Sequence, residues 1–169
     1  MRALLLIRLL ALSLLPLALA TACAGERLDS GERPDSAAAR PATERLWADV
    51  AGIFLRGDSE AIPTVYTEDA ALITEQMEIR GRAAIRANFE GVYSRIIYRS
   101  FEHTTERFET DGEMAIGQGV FGGTTEAKEE PGVTTSTSMR YVIVYKRQPD
   151  GRWLFHYVVT LPRLPASAK

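Results

Sequence analysis

The sequence predicts an α+β domain, and three observations carry that prediction. Apolar residues recur at helical spacing through the first half of the chain, and turn signals from Asp111 onward cut the second half into β-rich runs. A content of 46% hydrophobic and 25% charged residues is the balance a chain needs to bury a core, and 169 residues suit one ordinary domain.

The first 22 residues are read as a targeting segment rather than as part of the fold. A short basic start ends at Arg8, an apolar run extends from Leu9 to Ala20, and small residues follow. That run is interrupted by Pro16 and is shorter than the roughly 20 residues a spanning helix needs. It closes on Leu19-Ala20-Thr21-Ala22-Cys23, which resembles the lipobox of bacterial lipoproteins, where the cysteine thiol is lipidated and becomes the new N-terminus. The alternative is plain secretion with cleavage after Ala22, which would leave Cys23 as a free thiol. Cys23 is the only cysteine, so no disulfide can form within the chain. With Ala24 rather than aspartate after the cysteine, the resemblance implies an outer-membrane lipoprotein facing the periplasm.

From Cys23 to Ala42 the chain holds Pro34, Pro41, mixed charges and one large apolar residue, Leu28, and reads as a flexible linker. The domain is expected over 43–165, followed by a short tail, 166–169. Thr43 is a candidate N-cap for a first helix in which Leu46, Trp47, Val50, Ile53 and Phe54 share a face until Gly57. Asp58 can cap a short second helix reaching Tyr66, with Pro63 near its start. Ala70 to Thr74 reads as a strand, with Met77 to Arg80 returning beside it. Gly81 opens a third helix, in which Ala84, Ile85, Phe89, Val92 and Tyr93 recur.

Four strands follow: Ile96 to Phe108, Met114 to Thr124, Thr135 to Lys146 and Arg152 to Leu161. They are separated by turn signals at Asp111-Gly112, Glu129 to Gly132 and Pro149 to Gly151. The last two strands are apolar at both parities, with Tyr141, Ile143 and Tyr145 against Val142 and Val144. A sheet covered on one face alternates more cleanly, so a homodimer through the sheet is expected. The loop from Glu126 to Thr134 reads either as a lid or as a hairpin connection.

Gly57-Asp58, Tyr66-Thr67-Glu68-Asp69-Ala70, Ile79 to Ile85 and Asp150-Gly151-Arg152-Trp153, in that order, resemble the nuclear transport factor 2-like superfamily, in particular its SnoaL-like and ketosteroid-isomerase-like bacterial branches. The resemblance covers 43–165. It implies a cone: a curved, mainly antiparallel sheet wrapped around three N-terminal helices, with a cavity open at one end. That cavity serves isomerases, dehydratases and non-catalytic binders alike, so the resemblance fixes no activity. The steroid isomerase pattern is itself unmatched. Val50 stands where a tyrosine is needed, Thr74 and Glu75 where the aspartate base belongs, and Ser138-Met139-Arg140 where a protonated acid belongs.

The remaining candidates for acid–base chemistry are His103, His156 and Glu75, since two imidazoles and a carboxylate could run a dehydration. Both histidines also have plain readings, His156 as a satisfied core residue and His103 as a solvated one. Family geometry suggests Tyr66, Tyr93, His103, Gln118, Met139, Tyr141 and His156 as pocket residues. No metal is expected, because the two histidines are far apart without a third ligand at the usual spacing. No cofactor is expected either. Nucleic acid is set aside, because removal of the leader leaves 18 Lys and Arg against 22 Asp and Glu and no basic cluster. The leading expectation is an envelope lipoprotein binding a small, partly apolar ligand without catalysis. A dehydratase or isomerase using His103 and His156, and an interaction module, are the alternatives.

Overall fold

The computed structural model describes residues 34–163. The leader, Cys23, most of the expected linker and the tail lie outside the described residues.

Helix α1 spans Pro34–Arg56, so it starts well before Thr43 and takes in the end of the expected linker. Two features explain the difference. Ala37, Ala38 and Ala39 are the strongest helix formers, and Pro34 suits a first helical position, where its missing N–H costs nothing. Ala39 is also fully buried, which offsets the hydrogen bond lost at the internal Pro41. Thr43 is therefore a mid-helix residue, its hydroxyl donating back to the Arg40 carbonyl (3.0 Å) instead of capping. The helix ends in a Schellman arrangement: Gly57, at φ +64°, donates to the Phe54 carbonyl and Asp58 donates to that of Ile53. Asp58 then accepts from the Ala61 N–H (3.1 Å) and caps the 3₁₀ helix η1, Ser59–Val65.

Strand β1, Tyr66–Ile73, begins before the expected Ala70 and takes in Glu68-Asp69; its register shifts between Tyr66 and Ala71. It pairs antiparallel with β2, Glu78–Arg80, and parallel with β7, Trp153–Pro162. Helix α2, Arg82–Tyr93, buries Ile85, Phe89 and Tyr93 while Ala84 is exposed.

The strand expected over Ile96 to Phe108 is two strands, β3 at Ile96–Tyr98 and β4 at Glu102–Thr110. Both pair antiparallel with β5, Met114–Ala127. At the break, the Arg99 and Ser100 N–H groups both reach the Thr124 carbonyl. The cause lies across the ladder, where a Cβ on Gly122 would sit 2.2 Å from the Thr137 carbonyl oxygen and one on Gly123 2.1 Å from that of Ser100. Only glycine allows so close a backbone approach, and the sheet bends there.

β6, Thr134–Arg147, completes a seven-stranded mixed sheet in the order β2-β1-β7-β6-β5-β3, with β4 also on β5. The sheet curls around α1 and α2, as the cone reading expected. Its concave side buries Tyr141, Ile143, Tyr145, Phe155 and Val158 against Trp47, Val50, Phe54, Ile85 and Phe89. On the convex side Ile116, Val142 and Leu161 are 52%, 41% and 47% exposed. The apolar residues at the second parity are thus only partly covered within one chain.

Candidate functional site

Trp47 sits at the centre of the cone. Its ring stacks on His103 (centroids 4.7 Å apart, planes 14° apart) and contacts Tyr141 at 5.1 Å and Phe155 at 5.3 Å, while its indole N–H donates to the Tyr145 hydroxyl (2.9 Å). The Tyr141 hydroxyl shares a hydrogen bond with Thr105 Oγ1 (3.0 Å). A polar chain thus crosses an aromatic core with its groups paired to one another. A second cluster surrounds Phe54, against Phe89, Tyr93, Tyr98 and Phe101. The cavity that the resemblance implied is filled at this level by Trp47 and its neighbours, because the side chains from α1 and the concave strands are long enough to meet.

Two things interrupt this packing. The Tyr93 hydroxyl is buried without a hydrogen-bond partner, alone among the described residues in that respect. His103 Nε2 stands 2.8 Å from Glu44 Oε2, and His103 also borders a recess of about 230 Å3 among β4, β5 and β6, which Glu102, Phe121, Gly123, Ser138 and Arg163 line as well. His103 belongs to the concave parity, since it pairs with Phe121, which pairs with Met139 two residues before Tyr141.

His156 lies on the other face. It is the extra residue where the β7 register shifts opposite Val144 and Tyr145, directly after the inward-facing Phe155. Its Nδ1 is 2.9 Å from Thr67 Oγ1 and 3.4 Å from Asp69 Oδ1, and its ring lies edge-on to Tyr157 at 4.4 Å. With Nδ1 protonated, the imidazole donates to Thr67, whose hydroxyl donates on to Asp69. The Thr67 hydroxyl, aided by the positive charge His156 can carry, holds the Asp69 carboxyl below its ordinary value. Thr67 and Asp69 both approach the same ring nitrogen, so this is a structural clamp across the parallel β1–β7 pair and lacks the geometry of a nucleophile–base–acid triad.

The structure therefore does not bring His103, His156 and Glu75 together; Glu75 is exposed in the β1–β2 turn. Among the expected pocket residues, Tyr66, Tyr93, His103, Met139 and Tyr141 lie on or against the concave side. Gln118 and His156 do not: Gln118 pairs with Val142 at the convex parity, and the bulge turns His156 outward. Burial pushes the phenols of Tyr66, Tyr93, Tyr141 and Tyr145 above the ordinary tyrosine value, and at Tyr93 the neighbouring Tyr98, Tyr66 and Asp58 act in the same direction. They are neutral hydroxyls rather than bases. Among the described residues, no group of three or more His, Cys, Asp or Glu is placed to hold a metal ion.

Sequence reasoning missed Glu44, Thr105 and Tyr145. Glu44 precedes Trp47 by one helical turn and so shares its face, and Tyr145 shares the parity of Tyr141, so both signals were present. The pairing of Thr105 depended on the β4–β5 register, which no local pattern sets.

Residues 45–156 match the family described as a SnoaL-like domain. No curated protein is significantly similar in sequence. Among solved structures, the chain resembles a ketosteroid isomerase-like protein from Erwinia carotovora atroseptica (18% identity, TM-score 0.64, 79% of this chain and 99% of that one). It also resembles an NTF2-like protein with a cystatin-like fold from Novosphingobium aromaticivorans (19%, 0.61, 79% and 91%) and a candidate scytalone dehydratase from the same organism (16%, 0.65, 80% and 91%). At these identities the likeness is one of fold.

Proposed function

The chain belongs to the SnoaL-like family, and from that premise we propose that it is an envelope lipoprotein, anchored through Cys23, whose cone binds a small, partly apolar molecule at its mouth without transforming it. The observation that carries the reading is the separation of the two histidines by the sheet. His103 stacks on Trp47 on the concave side and borders a recess that Phe121 also lines, while His156 is engaged by Thr67 and Asp69 on the convex side. The recess is lined by the His103 imidazole, the Arg163 guanidinium, the Glu102 carboxylate, hydroxyls and the apolar Val120 and Phe121, which suits it to orienting a ligand, and the second imidazole that the dehydration plan calls for is held on the other face.

Native mass spectrometry of the full mature chain, purified from its own host, tests this. A stoichiometric adduct, lost in His103→Ala, is the expected result; conversion of a bound compound into product by the purified protein would overturn it. Anchoring is tested apart from binding, since Cys23→Ser is expected to abolish lipid labelling and move the protein from the outer-membrane fraction to the soluble periplasmic one.

One observation favours a second reading. Glu44 at 2.8 Å can orient His103 as a general base, the arrangement an isomerase or dehydratase would need. Turnover that persists unchanged in His103→Ala would remove that mechanism.

A further inference from the structure

A groove of about 740 Å3 runs outside the cone, between α1, η1 and the start of β7. Leu46, Ile53 and Trp153 form part of its apolar lining. Its charged lining is Arg45, Arg56 and Arg152 against one carboxylate, Asp49, in a chain whose formal charge is −2. Arg152 is tied through Nε to Asp150, an exposed pair. Arg45 and Arg56 are exposed and have no ion-pair partner among the described residues.

The helix itself is shaped for this trough. Arg45, Asp49, Gly52 and Arg56 fall on one stripe of α1, which spans about 16 Å at 1.5 Å per residue. A Cβ on Gly52 would stand 3.0 Å from Arg56 Nη1, so the guanidinium lies back over the bare glycine. A glycine inside a helix costs about 1 kcal/mol relative to alanine. Gly52 has no positive φ to explain its presence, and what it provides is room for the Arg56 guanidinium to lie along the groove wall.

We propose that this groove is a second binding site, for an elongated small molecule carrying an anionic head, carboxylate or phosphate, on an apolar body. Guanidinium groups match planar oxyanions with paired N–H donors, and the volume lies within the ~300–1,000 Å3 range of small-molecule sites. A free molecule fits better than a bilayer surface, because the apolar lining is recessed between α1 and β7, where a flat membrane face cannot reach it. The site is separate from the cone mouth and does not depend on His103.

The test is calorimetric titration of the full chain in nanodiscs with decanoate, decyl phosphate and uncharged decanol, using empty nanodiscs as the blank. Saturable one-to-one binding of an anionic probe is expected. It should weaken at least tenfold for decanol and in the Arg45→Gln/Arg56→Gln double variant, and be unchanged in His103→Ala. Gly52→Leu, which improves helix propensity while filling the trough, is expected to abolish it. The tighter of the two anionic probes assigns the head group. Binding no greater than that of empty discs, or binding unchanged in both the double variant and Gly52→Leu, would overturn the proposal. Loss of binding in His103→Ala alone would also overturn it and move the probe to the cone mouth. If decanoate and decyl phosphate fail while phosphatidylglycerol vesicles bind in an Arg45- and Arg56-dependent manner, the groove belongs to the membrane surface instead.

Discussion

Tyr93 carries a buried hydroxyl with nothing to bond to, whereas the Trp47 indole and the hydroxyls of Tyr145, Tyr141 and Thr105 are paired. Removing an orphaned polar group relieves its desolvation cost, so Tyr93→Phe is expected to stabilise the domain by about 1 kcal/mol in urea unfolding. The opposite sign is expected for Trp47→Phe, which removes the indole donor to the buried Tyr145 hydroxyl, and for His156→Ala, which opens the β1–β7 clamp. Each should cost about 1–3 kcal/mol, and His156→Ala should leave the ligand adduct at His103 intact. Buried phenols also set the alkaline limit. Tyr66, Tyr93 and Tyr145 hold their protons more tightly in the folded chain than in the unfolded one, whose value is 10.0. Their contribution is complete below that pH and is lost above it, at about 1.4 kcal/mol per pH unit for each group. Circular dichroism between pH 8 and 12 should show the domain intact to about pH 10 and then unfolding together with tyrosinate absorbance. At this scale the sequence was legible for identity but not for direction. His156 alternates with Leu154 and Val158 as an inward residue would, and only the bulge reverses it.

Helix α1 shows how an element can be right in kind and wrong in extent. Its apolar stripe from Leu46 to Phe54 is plain in the sequence, whereas the turns before Thr43 look like linker because Pro41 and short side chains dominate them. Tertiary contact overrides that local signal: Ala39 is fully buried, and the Arg40 guanidinium reaches the Thr105 carbonyl at 3.3 Å. Ala39→Asp is therefore expected to destabilise the domain by at least about 2 kcal/mol, since it places a carboxylate in an apolar slot. A helical linker end that contributed nothing would leave the urea midpoint unmoved. The split of β3 from β4 was illegible for a related reason, because the glycines that cause it lie on the partner strand. The Glu126 to Thr134 loop resolves toward its plainer reading. Glu126 accepts from the Gly132 N–H (3.2 Å) and pairs with Arg99 (2.8 Å), so the loop closes on its own hairpin rather than over the cone.

For the molecule as a whole, the convex face carries the remaining question. Ile116 is opposite Val144, and Val142 lies between Gln118 and Val159, which gives a band of apolar residues across three strands that the described residues cover only in part. We propose that a second copy covers it. Val142→Asp is then expected to convert a dimer into a monomer in sedimentation experiments while the circular dichroism spectrum stays the same; a wild-type monomer at high concentration would refute it. Fold class was legible here because it follows from the succession of helices and strands and their turns, whereas the β1–β7 pairing and assembly were not, since no local signal joins the two ends and an apolar second parity does not name its partner. The pairing of β1 with β7 has another consequence. Among the described residues, the first strand's one neighbour besides the three-residue β2 is the last strand, β7. Closure of the sheet must wait for that last strand, so the step that joins β1 to β7 carries the long sequence separation and is the slow one, while the hairpins from β4 to β7 are local. A nascent chain lacking Trp153–Pro162 has no complete core to form. In such a chain the first strand keeps an open edge until the last strand arrives, and an unpaired edge is a template for the wrong partner.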